Sequence, residues 1–161
     1  MAPREFLNVL VEKQQFPDAV RFLAHVMPKR EAVWWAWMCA RRAAGEEPAP
    51  PVQASLQATE KWIKEPTEEN RRAAMKAAEE ADLKTAAGCA GLAAFFSAGS
   101  LAPPHAAVVE PGEFLAAKAV TGAVIFAAVG VEPEKSAEKF RNYIDQGVGV
   151  VNRIKLWGKE T

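Results

Sequence analysis

The chain has 161 residues, and its 20 basic side chains balance 20 acidic ones to a formal net charge of zero. That balance argues against an affinity built on neutralising many phosphates or an anionic membrane surface, so no nucleic-acid partner is expected. A charged share of 25% and an apolar share of 50% exclude a disordered chain, and a chain of this length buries a core without a disulfide or a metal.

Proline punctuates the whole chain. Pro17, Pro28, Pro50-Pro51, Pro66, Pro111 and Pro133 each stand just before or at the start of a helix-compatible run, where a missing N–H costs nothing. The pattern predicts an all-α, bundle-like single domain over residues 1–161, with about seven to eight short helices and no sheet. Proline-rich linkers are expected near 46–51 and 102–112. A short helix from Phe6 to Lys13 comes first, then one from Pro17 to Met27 with Ala19, Phe22, Leu23, Val26 and Met27 on one face, stopped by Pro28.

The third helix, from about Lys29 to Ala44, is the most unusual element. Val33-Trp34-Trp35-Ala36-Trp37-Met38-Cys39-Ala40 is apolar throughout and holds three of the five tryptophans. At about 100° per residue, Val33, Trp34, Trp37 and Met38 share one face while Trp35 and Cys39 point to another. A helix apolar nearly all round must be covered on both sides, by its own fold or by a second molecule. The expectation is that Trp34 and Trp37 enter the core and that Trp35, Cys39, Arg41 and Arg42 form a partner-binding surface, since Trp beside Arg is the composition of interface hot spots.

Beyond Gly45, a helix from Val52 to Glu65 carries Leu56, Thr59, Trp62 and Ile63, and Pro66-Thr67-Glu68-Glu69 opens the next. The fifth helix buries only Ala73, Ala74, Ala77, Ala78 and Ala81, which demands that a neighbour approach its backbone closely, while Glu68 and Arg72 can pair outside. From Ala86 to Val109 there is no charge; a helix should end near Ala98, and a loop rich in proline runs to Gly112. Phe114 to Val131 reads as a buried core helix, its uncharged part of Ala119 to Val131 being shorter than the roughly 20 residues a membrane span needs. The last helix places Phe140, Ile144, Val148, Val151 and Ile154 or Lys155 along one stripe, with Gly147 and Gly149 weakening it midway.

Catalytic signatures are missing: there is no Walker loop, no H-E-x-x-H, no C-x-x-C and no G-x-S-x-G. Gly147-Val148-Gly149 is a fragment of a dinucleotide fingerprint in the middle of a helix and reads as packing. Cys39 and Cys89 lie in apolar helices without a second ligand at metal spacing, so free buried thiols are expected, and neither a metal nor a cofactor. The opening Met1-Ala2-Pro3-Arg4-Glu5-Phe6 lacks the basic-then-apolar order of a secretory signal, which favours a cytoplasmic location.

Asp18-Ala19-Val20-Arg21-Phe22-Leu23-Ala24-His25, Pro28 to Ala36, Trp62 with Pro66, Arg71-Arg72-Ala73-Ala74, Phe95 to Pro103 and Ala119 to Val124 together resemble an uncharacterised bacterial helical family, a domain of unknown function associated with type VI secretion gene neighbourhoods. The Phe95 to Pro103 segment departs from that pattern, where a tryptophan is expected at Phe96 and a glycine at Ala98. The resemblance implies a single helical domain with no established catalytic residue. It also implies an accessory, adaptor or chaperone that holds a secretion effector or a tip component. Taken with the residues, it makes a non-catalytic protein–protein interaction module the first expectation. A small-ligand binder or enzyme with a pocket at Phe96 and His105 is the alternative, and self-assembly through the glycine- and alanine-rich helices is a third.

Overall fold

Most helices begin where the sequence supplies a proline or a capping hydroxyl. The computed structural model describes residues 1–154. Among them α1 (Pro3–Glu12), α2 (Phe16–Val26) and α4 (Pro50–Lys64) carry proline in their first turn, and Pro28 caps α3 (Lys29–Ala44). Thr67 Oγ1 accepts from Asn70 N at 3.2 Å to open α5 (Glu68–Ala81), and Thr85 Oγ1 accepts from Gly88 N at 3.0 Å to open α6 (Ala86–Phe96). Then come α7 (Leu115–Val129), a 3₁₀ turn at Pro133–Lys135 and α8 (Ser136–Arg153). The described chain is therefore all-helical, with eight α-helices and no strand. Several boundaries differ by a turn or less from those expected: α1 starts at Pro3, α6 stops at Phe96 and α7 stops at Val129. Lys155, a candidate end of the last apolar stripe, lies outside the described residues.

The small helices make the centre. α6 and α7 pack on each other, α3 crosses both, and α5 backs α6 while α4 closes over α5 and α6. The close approach demanded by the alanine face of α5 is met by α6: a Cβ on Gly91 would stand 2.8 Å from Ala78 Cβ and 3.0 Å from the Ala74 carbonyl. α2 packs on α7 and α8, so the chain's first and last thirds meet across the middle. No single helix among the described residues is long and apolar enough to cross a membrane. Most of α7 is instead inside the bundle, with Ala116, Ala119, Val120, Thr121, Ala123, Val124, Ala127 and Ala128 buried.

The tryptophan helix is seated the other way round from the expectation. Trp35 and Cys39 are wholly buried, whereas Trp34, Trp37 and Met38 lie half-buried around them. Trp35 Nε1–H donates to the Tyr143 carbonyl at 2.8 Å, which satisfies the one polar group an indole takes into a core. Its ring lies against α8 at Gly147, where a Cβ would stand 2.9 Å from Trp35 Cε2 and 3.0 Å from Cζ2. Gly147 is thus a hole cut into α8 for an indole. Trp37 Nε1–H donates to the Leu56 carbonyl at 2.9 Å, tying α3 to α4, and the Arg153 guanidinium lies 5.6 Å over the Trp34 ring.

Among the described residues one charged side chain is buried, and it holds a loop. Arg71, on α5, is only 1% exposed. Its guanidinium donates through Nε and Nη2 to Glu68 at 2.7 Å each, through Nη1 to the Phe95 carbonyl at 2.7 Å and through Nη2 to the Ser100 carbonyl at 3.0 Å. It also stacks 4.4 Å from the Phe95 ring centre. Gly99 crosses it in the left-handed region, φ 68°, with space for no side chain: a Cβ there would meet the guanidinium at 2.7 Å. Arg72 adds bonds to the Ser100 and Ala102 carbonyls at 3.3 and 2.8 Å. Ser100 Oγ accepts from Ala102 N and Val109 N, and Leu101 N donates to the Val109 carbonyl at 2.8 Å, closing an Ω-shaped loop over residues 100–109.

Both seats are open to test. Gly147→Ala should destabilise the chain by about 1–2 kcal/mol, because the clash with Trp35 outweighs the roughly 1 kcal/mol gained in helix propensity. Gly149→Ala, where a Cβ would meet nothing within 4 Å, should be neutral or stabilising. Urea unfolding of the two variants side by side measures the difference, and equal effects would contradict the indole seat. At the other seat, hydrogen bonding from Arg71 holds the Glu68 carboxyl down at about 2 from an ordinary 4.5, with burial opposing and Arg72 assisting. A depressed folded-state value contributes stability that is present above pH 4.5 and lost as pH falls toward 2. Thermal melts across that window should fall more steeply for the parent chain than for Glu68→Gln, the exposure of Glu68 keeping the difference small.

Candidate interaction surface

The sequence singles out Trp35, Cys39, Arg41 and Arg42 as a contact surface, and the fold splits them. Trp35 and Cys39 face the core and are out of reach of a partner, which corrects that expectation for both. The physical reason is the Gly147 seat, which lets an indole sink to the middle of the bundle. Burial raises the Cys39 thiol far above the ordinary thiol range, against a smaller opposing pull from Arg42. Cys89 is also a free buried thiol, pushed up to about 11 by burial and by nearby Asp82, and its Sγ donates to the Leu83 carbonyl at 3.1 Å.

Arg41 and Arg42 remain outside, at the C-terminal end of α3. Arg41 donates to the Gly45 carbonyl at 2.9 Å, closing the helix end where Gly45 turns at φ 75°. The Arg42 side chain makes no hydrogen bond or ion pair with the described residues. It borders two clefts, one of about 320 Å³ shared with Tyr143, Lys135 and Lys139, and one of about 430 Å³ shared with Trp37, Met38 and Glu46. Burial raises the Tyr143 hydroxyl, with Cys39 adding to the rise and Arg42 opposing it.

Beside these lies a more apolar cleft of about 360 Å³ that no sequence motif announces. Its floor is small: Ala40, Ala43 and Ala44 of α3, Ala86 and Ala87 of α6, and Gly130 after α7. Val52, Phe126 and Val131 wall it, and Lys84 and Thr85 are its polar edge. Ala43 and Val131 line both this cleft and the one at Tyr143, so the two adjoin and together form a grooved surface. Phe126, Val129 and Val131 are exposed by 38%, 39% and 59%, so the core helix expected from Phe114 to Val131 leaves an apolar face uncovered at its end. In its last turn α7 is covered on one side only: Ala127 and Ala128 are buried while Phe126 and Val129 face outward. A sign was present in the sequence: Phe126 and Val129 stand three apart, off the stripe of Val120, Val124 and Ala127.

The alternative pair lies away from these clefts. Phe96 is half-buried beside Phe95, ring centres 6.1 Å apart, and His105 is exposed at the tip of the 100–109 loop; neither lines any of the clefts described for α3, α7 and α8. His25 Nδ1–H donates to the Arg21 carbonyl at 2.7 Å, and its ring tilts against exposed Phe114 with centres 5.5 Å apart over a cleft of about 200 Å³. Among the described residues no group of three or more His, Cys, Asp or Glu is placed to hold a metal.

The architecture is that of a small helical bundle with an apolar groove at one end. The chain belongs to a family of unknown function, DUF6931, whose profile matches residues 6–151. No curated protein and no solved structure matches it. The expected resemblance to a helical domain of unknown function thus holds at the level of the family and the all-α fold.

Burial makes a prediction about the thiols. In the native chain at pH 8, iodoacetamide should leave Cys39 unmodified until urea unfolds the bundle, with Cys89 reacting slowly, as peptide mass mapping would read; native labelling of Cys39 at the unfolded rate would contradict its seat.

Proposed function

We propose that this protein is a non-catalytic interaction module that docks a protein partner in the groove between the ends of α3 and α7. One observation carries this: the exposed side chains of Phe126 and Val131 line a cleft with an alanine floor. Apolar surface left in water costs about 25 cal/mol per Å², and monomers rarely keep a contiguous patch of it without a use. The cleft lies at the lower end of the roughly 300–1,000 Å³ typical of ligand pockets, but is walled by helix ends and open along its length, which suits a side-chain ridge better than an enclosed small molecule. Arg42 lines the adjoining cleft, which retains the cationic end of α3 as part of the contact.

In its specific form the module is an accessory, adaptor or chaperone in the bacterial cytoplasm that holds an effector or tip component of a type VI secretion system. What supports that form is the likeness of Asp18 to His25 and Pro28 to Ala36 to a family found beside such genes. The mechanism would be burial of a complementary apolar surface, with no bond made or broken.

Val131→Asp places a charge at the groove without touching the core. In a variant whose circular dichroism and melting match the parent, affinity capture from the native organism should lose the secretion components that the parent retains, while His105→Ala retains them. Unchanged capture by Val131→Asp would overturn the surface, and a captured set without secretion components would overturn the secretion link.

A further inference from the structure

Resting on the groove as the docking surface, we infer that its occupant is an acidic amphipathic helix of a partner protein, seated with its apolar ridge on the alanine floor and its carboxylates toward Arg42 and Lys84. The first ground is charge. The whole chain has a net charge of zero, yet the linked clefts around Ala43, Val131 and Arg42 are lined by five cations, Arg41, Arg42, Lys84, Lys135 and Lys139, against the carboxylates Glu46 and Glu138. Adding Glu132, which pairs with Lys135 at 3.3 Å, still leaves five against three. Lys139 is partly engaged, its ammonium donating to the Val131 carbonyl.

Among the described residues the Arg42 and Lys84 side chains have no partner of their own. They sit at different parts of the groove, Lys84 on the apolar cleft and Arg42 on the adjoining one that shares Ala43 and Val131 with it. Two unpaired cations on adjoining apolar clefts match carboxylates beside an apolar ridge, and a like-charged partner would be repelled there.

The second ground is backbone chemistry. A peptide that binds by adding a strand needs a sheet edge, and no strand exists among the described residues. A helix satisfies its own backbone hydrogen bonds and needs from its receptor only a trough for side chains at i, i+3, i+4 and i+7. Ala40, Ala43, Ala44 and Gly130 keep this floor low enough for such a ridge to reach α3 and the end of α7.

Two fluorescein-labelled peptides of about 18 residues, long enough to form helix in contact with a surface, test the inference. They share one Leu/Ala face and differ only in Glu or Lys on the flanks. Anisotropy titrations with the full chain at low salt should show the Glu peptide binding about tenfold tighter, with the preference shrinking as salt rises. Arg42→Glu with Lys84→Glu should reverse the preference, and Arg42→Ala with Lys84→Ala should abolish it; neither residue is buried, and circular dichroism checks each fold. Equal binding of both peptides that Val131→Asp abolishes would overturn the acidic partner and leave the groove standing. Binding of neither peptide, or binding indifferent to Val131→Asp, would overturn both readings. Sedimentation of the chain with phosphatidylglycerol vesicles but not phosphatidylcholine ones, without a preference for the Glu peptide, would overturn the partner helix in favour of an anionic membrane.

Discussion

The Trp35 indole, sunk between α3 and α8, is the contact on which the arrangement of the other helices depends. An indole is large, flat and carries one N–H, so burying it requires a neighbour that is locally thin and an acceptor in the right place. α8 supplies both: Gly147 gives the space, and the Tyr143 carbonyl, one turn earlier, takes the hydrogen bond at 2.8 Å. Residues 108 apart in sequence are thereby fixed to each other. With Trp35 inward, Trp34 and Trp37 are turned to the flanks of α3, where one packs under Arg153 and the other reaches the Leu56 carbonyl.

Arg71 plays the corresponding part at the other side of the bundle. A buried guanidinium is tolerated only when its donors are met, and here Glu68 and the Phe95 and Ser100 carbonyls meet them. Removing it would leave those carbonyls orphaned near the end of α6 and release the 100–109 loop, whose own closure depends on Ser100. Gly99 completes the device, since its left-handed backbone and missing side chain let the loop cross directly over the guanidinium. An uncharged segment rich in proline and alanine is held in one shape by a charge that it does not itself contain.

These two anchors leave the end of the bundle at Ala43 and Val131 as a sparsely covered apolar region. α3 serves both purposes: its middle supplies the buried Trp35 and Cys39, and its end supplies an alanine floor, with Arg41 and Arg42 on the neighbouring clefts. The neutral charge of the whole chain hides a local excess of cations there, because most of the acids lie elsewhere, among them Glu68, Glu69, Glu79 and Glu80 of α5. Composition alone averages such a surface away.

The all-helical class, the helix starts near Pro17, Pro28 and Pro50, and the close approach to the alanine face of α5 were legible in the residues, because proline geometry, capping and side-chain volume act within a few positions of the chain. So was the need of α3 for cover on both sides. Which side faced the core was a matter for the packed bundle. A helical wheel gives the directions of Trp34, Trp35 and Trp37 relative to one another, but a helix apolar all round carries no sign of where the rest of the protein lies. The deciding residue was Gly147, which falls between Ile144 and Val151 on the buried stripe of α8 and reads locally as a weakness. Its meaning as a socket, like the groove assembled from the ends of α3, α6 and α7, exists only once distant segments are packed together, since burial of a shared surface is a property of the pair and of neither partner alone.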